Sequence, residues 1–322
     1  MAFEGKKIMY VHGFASSGQS GTVRHLREVL PQTTIIAPDV PVEPLEMLPL
    51  LQDICQKEQP NLIIGTSMGG MLTEMLYGFD RILVNPAFEI AETIRTNPDM
   101  GLGRHPFFNK RQDGATDFLV TKKTIQDFRT LTSQNFAHAD EDCERVVGLF
   151  GRNDPLVHTF DIFRRHYRHA IRFNGEHRIT DSVLLHTLLP AIQRIDDKQE
   201  HRQRPIVYID IDCLRRDEKS EVSEASFAFE KLFDRYQLYV LAPVEWNDAE
   251  KWNSVQHWAD SFLGILAYNR VILCQEPALI YGDYLVSRNP CPDFMGTVLR
   301  FGDDPFRTWE DVLDFFSHLG GQ

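Results

Sequence analysis

Short apolar, β-branched runs alternate along the chain with stretches whose apolar residues recur at helical spacing. Ile8-Met9-Tyr10-Val11 predicts a first strand, and Val23 to Leu30 predicts a helix after an intervening loop. Thr34-Ile35-Ile36-Ala37 predicts a second strand closed by Pro38 and Asp39; a leucine-rich helix follows over Pro44 to Gln56. Leu62-Ile63-Ile64 predicts a third strand ending in glycine, and Arg81 to Val84, Val146 to Phe150 and Ala170 to Phe173 continue the series. Strands alternating with helical patterns imply βαβ units around a mostly parallel sheet. Between Ala91 and Glu144 the rhythm breaks into polar, Gly- and Asn-containing sequence. This reads as an insertion carrying a helix over Lys122 to Leu131, placed like a lid over one end of the sheet.

Residues Asp196 to Arg204 read DDKQEHRQR, without one apolar member, and are bounded by Pro205, which marks a linker. Alternation then restarts with Ile206 to Ile209, Leu238 to Leu241 and Arg270 to Leu273. The expectation is an α/β protein of two domains, residues 1–195 with an insertion at about 91–144, and a smaller domain over residues 205–322.

Composition narrows the functions open to it. With 34 basic against 46 acidic residues the net charge is −12, which argues against a nucleic-acid footprint and against adsorption to anionic membranes. No apolar run approaches the ~20 residues that span a bilayer. The start, MAFEGKKIMYVHGF, is too short in apolar residues for a signal-peptide core, so a cytoplasmic location is expected. The five cysteines (Cys55, Cys143, Cys213, Cys274, Cys291) are scattered and lack CxxC spacing, which disfavours a disulfide framework or a cysteine-bound zinc.

Candidate chemistry begins at Gly65-Thr66-Ser67-Met68-Gly69-Gly70, between the third strand and an apolar-periodic stretch. GxSxG in that context is a strained strand-to-helix turn that lifts a serine hydroxyl above the sheet, with helix N–H groups facing developing negative charge. A serine needs a base, and the base an orienting carboxylate; the expected chain order is Ser, acid, His, each on a loop after a strand. Asp154 follows the strand ending at Phe150, and His177 follows the strand ending at Phe173. His158, His186 and Glu176 are the alternatives. His12-Gly13-Phe14, after the first strand, would supply an oxyanion-hole N–H from Phe14 or its neighbour Ala15, opposite that of Met68. Phe107 and Phe108 in the insertion are candidates for contact with an apolar acyl group.

Residues 7 to about 193 resemble small bacterial α/β-hydrolase esterases whose oxyanion loop reads HGF followed by a serine pair. The matching residues are His12-Gly13-Phe14, Ser16-Ser17, Ser67, Asn85-Pro86-Ala87 and Gly175-Glu176-His177. The resemblance implies an α/β-hydrolase fold and hydrolysis of a small acyl ester, with no cofactor.

In the second half, Asp210-Ile211-Asp212 ends a strand, and aspartates at i and i+2 there suit phosphoryl transfer with Mg²⁺. Residues 206 to 318 resemble cytosolic 5′(3′)-deoxyribonucleotidases of the haloacid-dehalogenase superfamily through Asp210-Ile211-Asp212, Leu238 to Leu241, Trp246-Asn247, Gly282 to Leu285 and the tail Phe306 to Phe315. The resemblance implies a vestigial site of Asp210, Asp212 and Asp283. Cys213, Ala242, Pro277, Ser287 and Arg288 stand where that family carries glycine, threonine, lysine and an acidic pair. A proline supplies neither charge nor donor, and an arginine repels a cation. Arg288 is expected instead as a counter-charge for Asp210 or Asp212.

Three functions follow: a serine carboxylesterase with an inactive second domain, a Mg²⁺-dependent phosphatase or 5′-nucleotidase, or a non-catalytic two-domain scaffold.

Overall fold

The computed structural model describes residues 3–97, 99–215, 223–245 and 247–319. Trp246, one of the residues carrying the nucleotidase resemblance, lies outside them. The chain divides into two compact units, Met1–Gln199 and Glu200–Gln322.

In the first unit the strands β1 (Lys7–Val11), β2 (Thr34–Ile36), β3 (Leu62–Thr66) and β4 (Arg81–Val84) are followed by a small hairpin, β5 (Gly103–Pro106) and β6 (Asp117–Val120). β7 (Val146–Gly151) and β8 (His169–Phe173) complete it. The main sheet runs β2-β1-β3-β4-β7-β8, every neighbour parallel. β1, β3 and β4 are nearly continuous apolar runs because the central strands are covered on both faces. Parallel strands expose their carboxyl ends on one edge of the sheet, and the loops after β1, β3, β4, β7 and β8 share it.

The insertion holds more structure than its polar composition suggests. Besides the helix Lys122–Thr132, opened by a reciprocal Thr121–Thr124 capping box, it contains Ile90–Thr96 and the antiparallel pair β5–β6. Phe118, Ile125, Phe128 and Leu131 bury their side chains in the same core as β1 and β3.

One boundary is corrected. The segment starting at Asp196 is not linker at its amino end: the helix Leu189–Gln199 runs through it. Asp196 is fully buried and paired with Lys6 Nζ at 2.7 Å, while Gln199 donates to Asn61 O and to Asp80 Oδ2. A run of polar residues reads as solvated when their partners lie far away in sequence.

The second unit contains β9 (Ile206–Asp210), β10 (Gln237–Pro243), β11 (Val271–Cys274), β12 (Tyr284–Ser287) and β13 (Thr297–Arg300). They form a parallel sheet in the order β11-β10-β9-β12-β13. Helices Ser223–Phe233, Ala249–Phe262 and Trp309–Leu319 pack apolar residues such as Phe229, Val255 and Phe316 against it.

Candidate active site

Ser67 stands between β3 and the helix Met68–Glu74 with φ 57° and ψ −119°, a backbone conformation that side-chain-bearing residues rarely adopt. The turn is held by Ser67 N–H donating to Val84 O and Ala87 N–H donating to Ser67 O. Its glycines are required by close approach. A Cβ on Gly65 would lie 2.2 Å from Gly69 O, and one on Gly69 would lie 2.1 Å from Val11 O.

The loops after β7 and β8 bring their side chains to this serine. His177 Nε2 lies 3.0 Å from Ser67 Oγ, and His177 Nδ1 lies 2.8 Å from Asp154 Oδ2. A carboxylate only accepts, so Nδ1 carries the proton and Nε2 is left to accept from the serine hydroxyl. Asp154 is buried, and its other oxygen accepts from the amides of Leu156 (2.8 Å) and Val157 (3.0 Å). Burial pushes its carboxyl up, but the hydrogen bond and charge of His177 and these two amides outweigh burial and hold it below the usual aspartate range. A hydroxyl, an imidazole and a buried carboxylate joined in this order are competent for nucleophilic acyl transfer. The alternatives are placed differently: His158, His186 and Glu176 are exposed.

The loop after β1 presses against the serine turn, since a Cβ on Gly13 would sit 3.3 Å from Ser67 Cβ. Among the described residues the amides of Phe14 and Met68 donate to no protein acceptor. His12 fixes this loop in place. Val40 N–H donates to its Nε2 at 2.9 Å, so Nδ1 carries the proton and donates to Gly13 O at 2.8 Å. Burial pushes the His12 pKa down, keeping the ring neutral as both bonds require.

The insertion is stitched to the same loop. Phe108 N–H donates to Ala15 O, Asn109 Nδ2 to Ser16 Oγ, and Ser17 Oγ to Lys110 O. A small apolar pocket lies alongside, lined by Phe14, Val40, Met47, Met68, Phe107 and Phe118. Phe108 takes no part in it: its ring is 69% exposed, with the Arg178 guanidinium 6.0 Å from its centre.

Sequence reasoning gave no role to His12 or to Asn85. The sequence marked Asn85 only as part of the Asn85-Pro86-Ala87 match after the fourth strand, which fixes the position without saying what its side chain holds.

In the second unit the three aspartates do not converge. Asp210 ends β9, but a short helix, Ile211–Leu214, starts at once, so Asp212 does not continue the strand. Asp210 Oδ1 accepts from the Asp212 amide, and its Oδ2 accepts from Ser287 Oγ at 3.0 Å. Asp283 precedes β12 at the amino edge of the sheet. Its Oδ2 accepts from Ile206 N–H at 2.7 Å, at the start of β9. Four residues of strand separate that level from Asp210, about 13 Å. Asp283 therefore pins the beginnings of two strands and belongs to no site with Asp210. Arg288 meets the expectation in part: its positive charge lowers the Asp210 pKa, but its Nε donates to the backbone carbonyl of Asp212 and its guanidinium lies 4.8 Å from the centre of the Phe301 ring. Burial raises the Asp210 pKa and the Asp212 charge adds to it, against the Asp212 amide, the Ser287 hydroxyl and the charge of Arg288.

Among solved structures the chain is similar to Est1E from Butyrivibrio proteoclasticus, at 16% identity over 62% of this chain and 90% of that one, with a TM-score of 0.45. It is also similar to a monoacylglycerol lipase of Paleococcus ferrophilus, at 14% identity over 61% and 97%, with a TM-score of 0.43. Among curated proteins it is similar to one of Vibrio phage KVP40 named "Putative 5'(3')-deoxyribonucleotidase". The two are 28% identical over 145 residues, 35% of this chain and 85% of the phage protein. Residues 7–175, more than half of the length, match a single family model, and the chain belongs to the uncharacterised protein family UPF0227.

Proposed function

We propose that the protein is a serine hydrolase acting on small carboxylic esters through Ser67, His177 and Asp154. The observation that carries this reading is the unbroken hydrogen-bonded path from the Ser67 hydroxyl through His177 to buried Asp154. Ser67 Oγ attacks the ester carbonyl while its proton moves to His177 Nε2. Asp154 holds the ring in the tautomer that leaves Nε2 bare and stabilises the imidazolium that forms. The N–H groups of Phe14 and Met68 receive the developing oxyanion; losing one such donor typically costs about 3 kcal/mol of transition-state stabilisation. His177 then protonates the departing alcohol, and a water deprotonated by His177 releases the acid. The acyl group fits the pocket walled by Phe14, Phe107 and Phe118, whose small size favours short chains.

In this reading residues 1–199 form the α/β-hydrolase domain, with residues 91–144 building the wall of its pocket. Residues 205–322 form a haloacid-dehalogenase-like domain without activity. The test is covalent labelling by a fluorophosphonate together with hydrolysis of a panel of nitrophenyl esters. Labelling that disappears in Ser67→Ala is expected, and an unlabelled, inactive wild-type protein would sink the proposal.

A further inference from the structure

The loop after β4 lies between the serine turn and the loops of the acid and the base, and one side chain ties these together. Asn85 is 2% exposed. Its Oδ1 accepts from Gly151 N–H at 2.7 Å, at the end of β7, three residues before Asp154. Its Nδ2 donates to Glu176 O at 3.0 Å and to His177 O at 3.1 Å. Only one orientation of the amide satisfies an N–H and two carbonyls together, so the side chain is fixed end to end. The main chain around it completes the connection. Asn85 N–H donates to Leu149 O, Thr159 Oγ1 donates to Pro86 O, and Ala87 N–H donates to Ser67 O. Asn85 has φ 45°, a left-handed conformation that asparagine adopts more readily than most residues.

From this geometry we infer that Asn85 is the positioning residue that sets His177 and Asp154 in register with Ser67. The inference rests on the proposed reaction. It goes beyond it by assigning part of catalysis to a residue that touches no reacting atom. The backbone carbonyl of His177 is held by Asn85, and the imidazole projects from the same residue, so movement of this loop moves Nε2 relative to Ser67 Oγ. A displacement of about 1 Å in such a constellation can cost ~100-fold in rate.

The test compares Asn85→Gly with Asn85→Asp. Glycine tolerates the left-handed backbone and deletes the side chain. Aspartate keeps the backbone and the acceptor for Gly151 but turns a second oxygen toward the two carbonyls. Both variants are expected to lose about 100-fold in kcat, with KM within about twofold of wild type. If Asn85→Asp restored wild-type kcat, Gly151 would be the only contact that mattered and the assignment to the His177 loop would be overturned. A folded Asn85→Gly protein with wild-type kcat would overturn it altogether. Should the glycine variant fail to fold, the aspartate variant is read by the same criteria.

A second readout does not depend on turnover. The His177 Nδ1 proton shared with Asp154 should give a far-downfield proton resonance that is lost in Asn85→Gly and retained in Phe108→Ala, at the exposed ring. If wild type neither hydrolyses esters nor takes the fluorophosphonate, the reaction fails while this resonance still judges the positioning. An unchanged resonance in Asn85→Gly rejects the positioning even if ester hydrolysis stands.

Discussion

Asp154 and Asp210 are both buried aspartates at the carboxyl edge of a parallel sheet, one in each unit, and their surroundings push them in opposite directions. Asp154 has an imidazole and two amides, and its carboxyl is held low. Burial carries Asp210 upward and the charge of Asp212 adds to it, against a hydroxyl, one amide and the charge of Arg288. Both lie at a strand's carboxyl end; what differs is that His177 hydrogen-bonds Asp154 directly, whereas Arg288 acts on Asp210 through its charge and donates its Nε to the Asp212 carbonyl instead. A strand-end carboxylate becomes usable chemistry only when something nearby is built to answer its charge.

Removing the partners from the first site should have the largest effect. Ser67→Ala and His177→Ala are expected to lower kcat by at least ~1000-fold with the unfolding midpoint little changed, and Asp154→Asn to lose as much or somewhat less. Near-native turnover in Ser67→Ala would remove the distinction between the two sites. Phe107→Ala should shift the ratio of kcat/KM for longer against shorter acyl esters by about tenfold, while Phe108→Ala leaves it alone. An equal shift in both would mean that the acyl group lies elsewhere.

A smaller effect concerns His12. Its folded pKa lies below its unfolded one, so its contribution to stability is complete above the unfolded value, near pH 6.5, and is lost as pH falls from there through the folded value. Thermal unfolding followed from about pH 7 to 5 should therefore fall less steeply in His12→Ala than in wild type. Parallel slopes would show that the ring is not kept neutral by burial. In the second unit the expected effect is none. Millimolar Mg²⁺ should leave the unfolding midpoint unmoved, and deoxynucleoside monophosphates should not be hydrolysed. Mg²⁺-dependent turnover that vanishes in Asp210→Asn but survives Ser67→Ala would reverse the comparison.

Much of this is legible in the amino-acid sequence. The mostly parallel sheets follow from the spacing of apolar runs. Ser67, Asp154 and His177, named from their order after successive strands, lie within hydrogen-bond reach of one another because parallel strands deliver their following loops to one edge. What could not be read depends on distant partners. Asp196 looks solvated until Lys6 is placed beside it, and Asp283 looks like a third carboxylate until strand register puts it at the wrong end. Asn85 is only one residue of a matched motif until three loops close around it. The hairpin β5–β6 escaped because Gly103–Pro106 carries no alternating pattern, its pairing coming from Asp117–Val120.

The burial of Asp196 bears on how the molecule can be divided. A fragment ending at residue 195 looks reasonable by composition, yet it would remove the carboxylate that Lys6 Nζ meets at 2.7 Å. It would also discard the Gln199 amide that joins the last helix to Asn61 and Asp80. Removing a carboxylate that a largely buried ammonium meets is among the costlier changes a core can suffer. The severed helix would lose its last turn as well. Where a chain may be cut is thus set by the last side chain that its core still needs, which here lies inside the most polar stretch of the sequence.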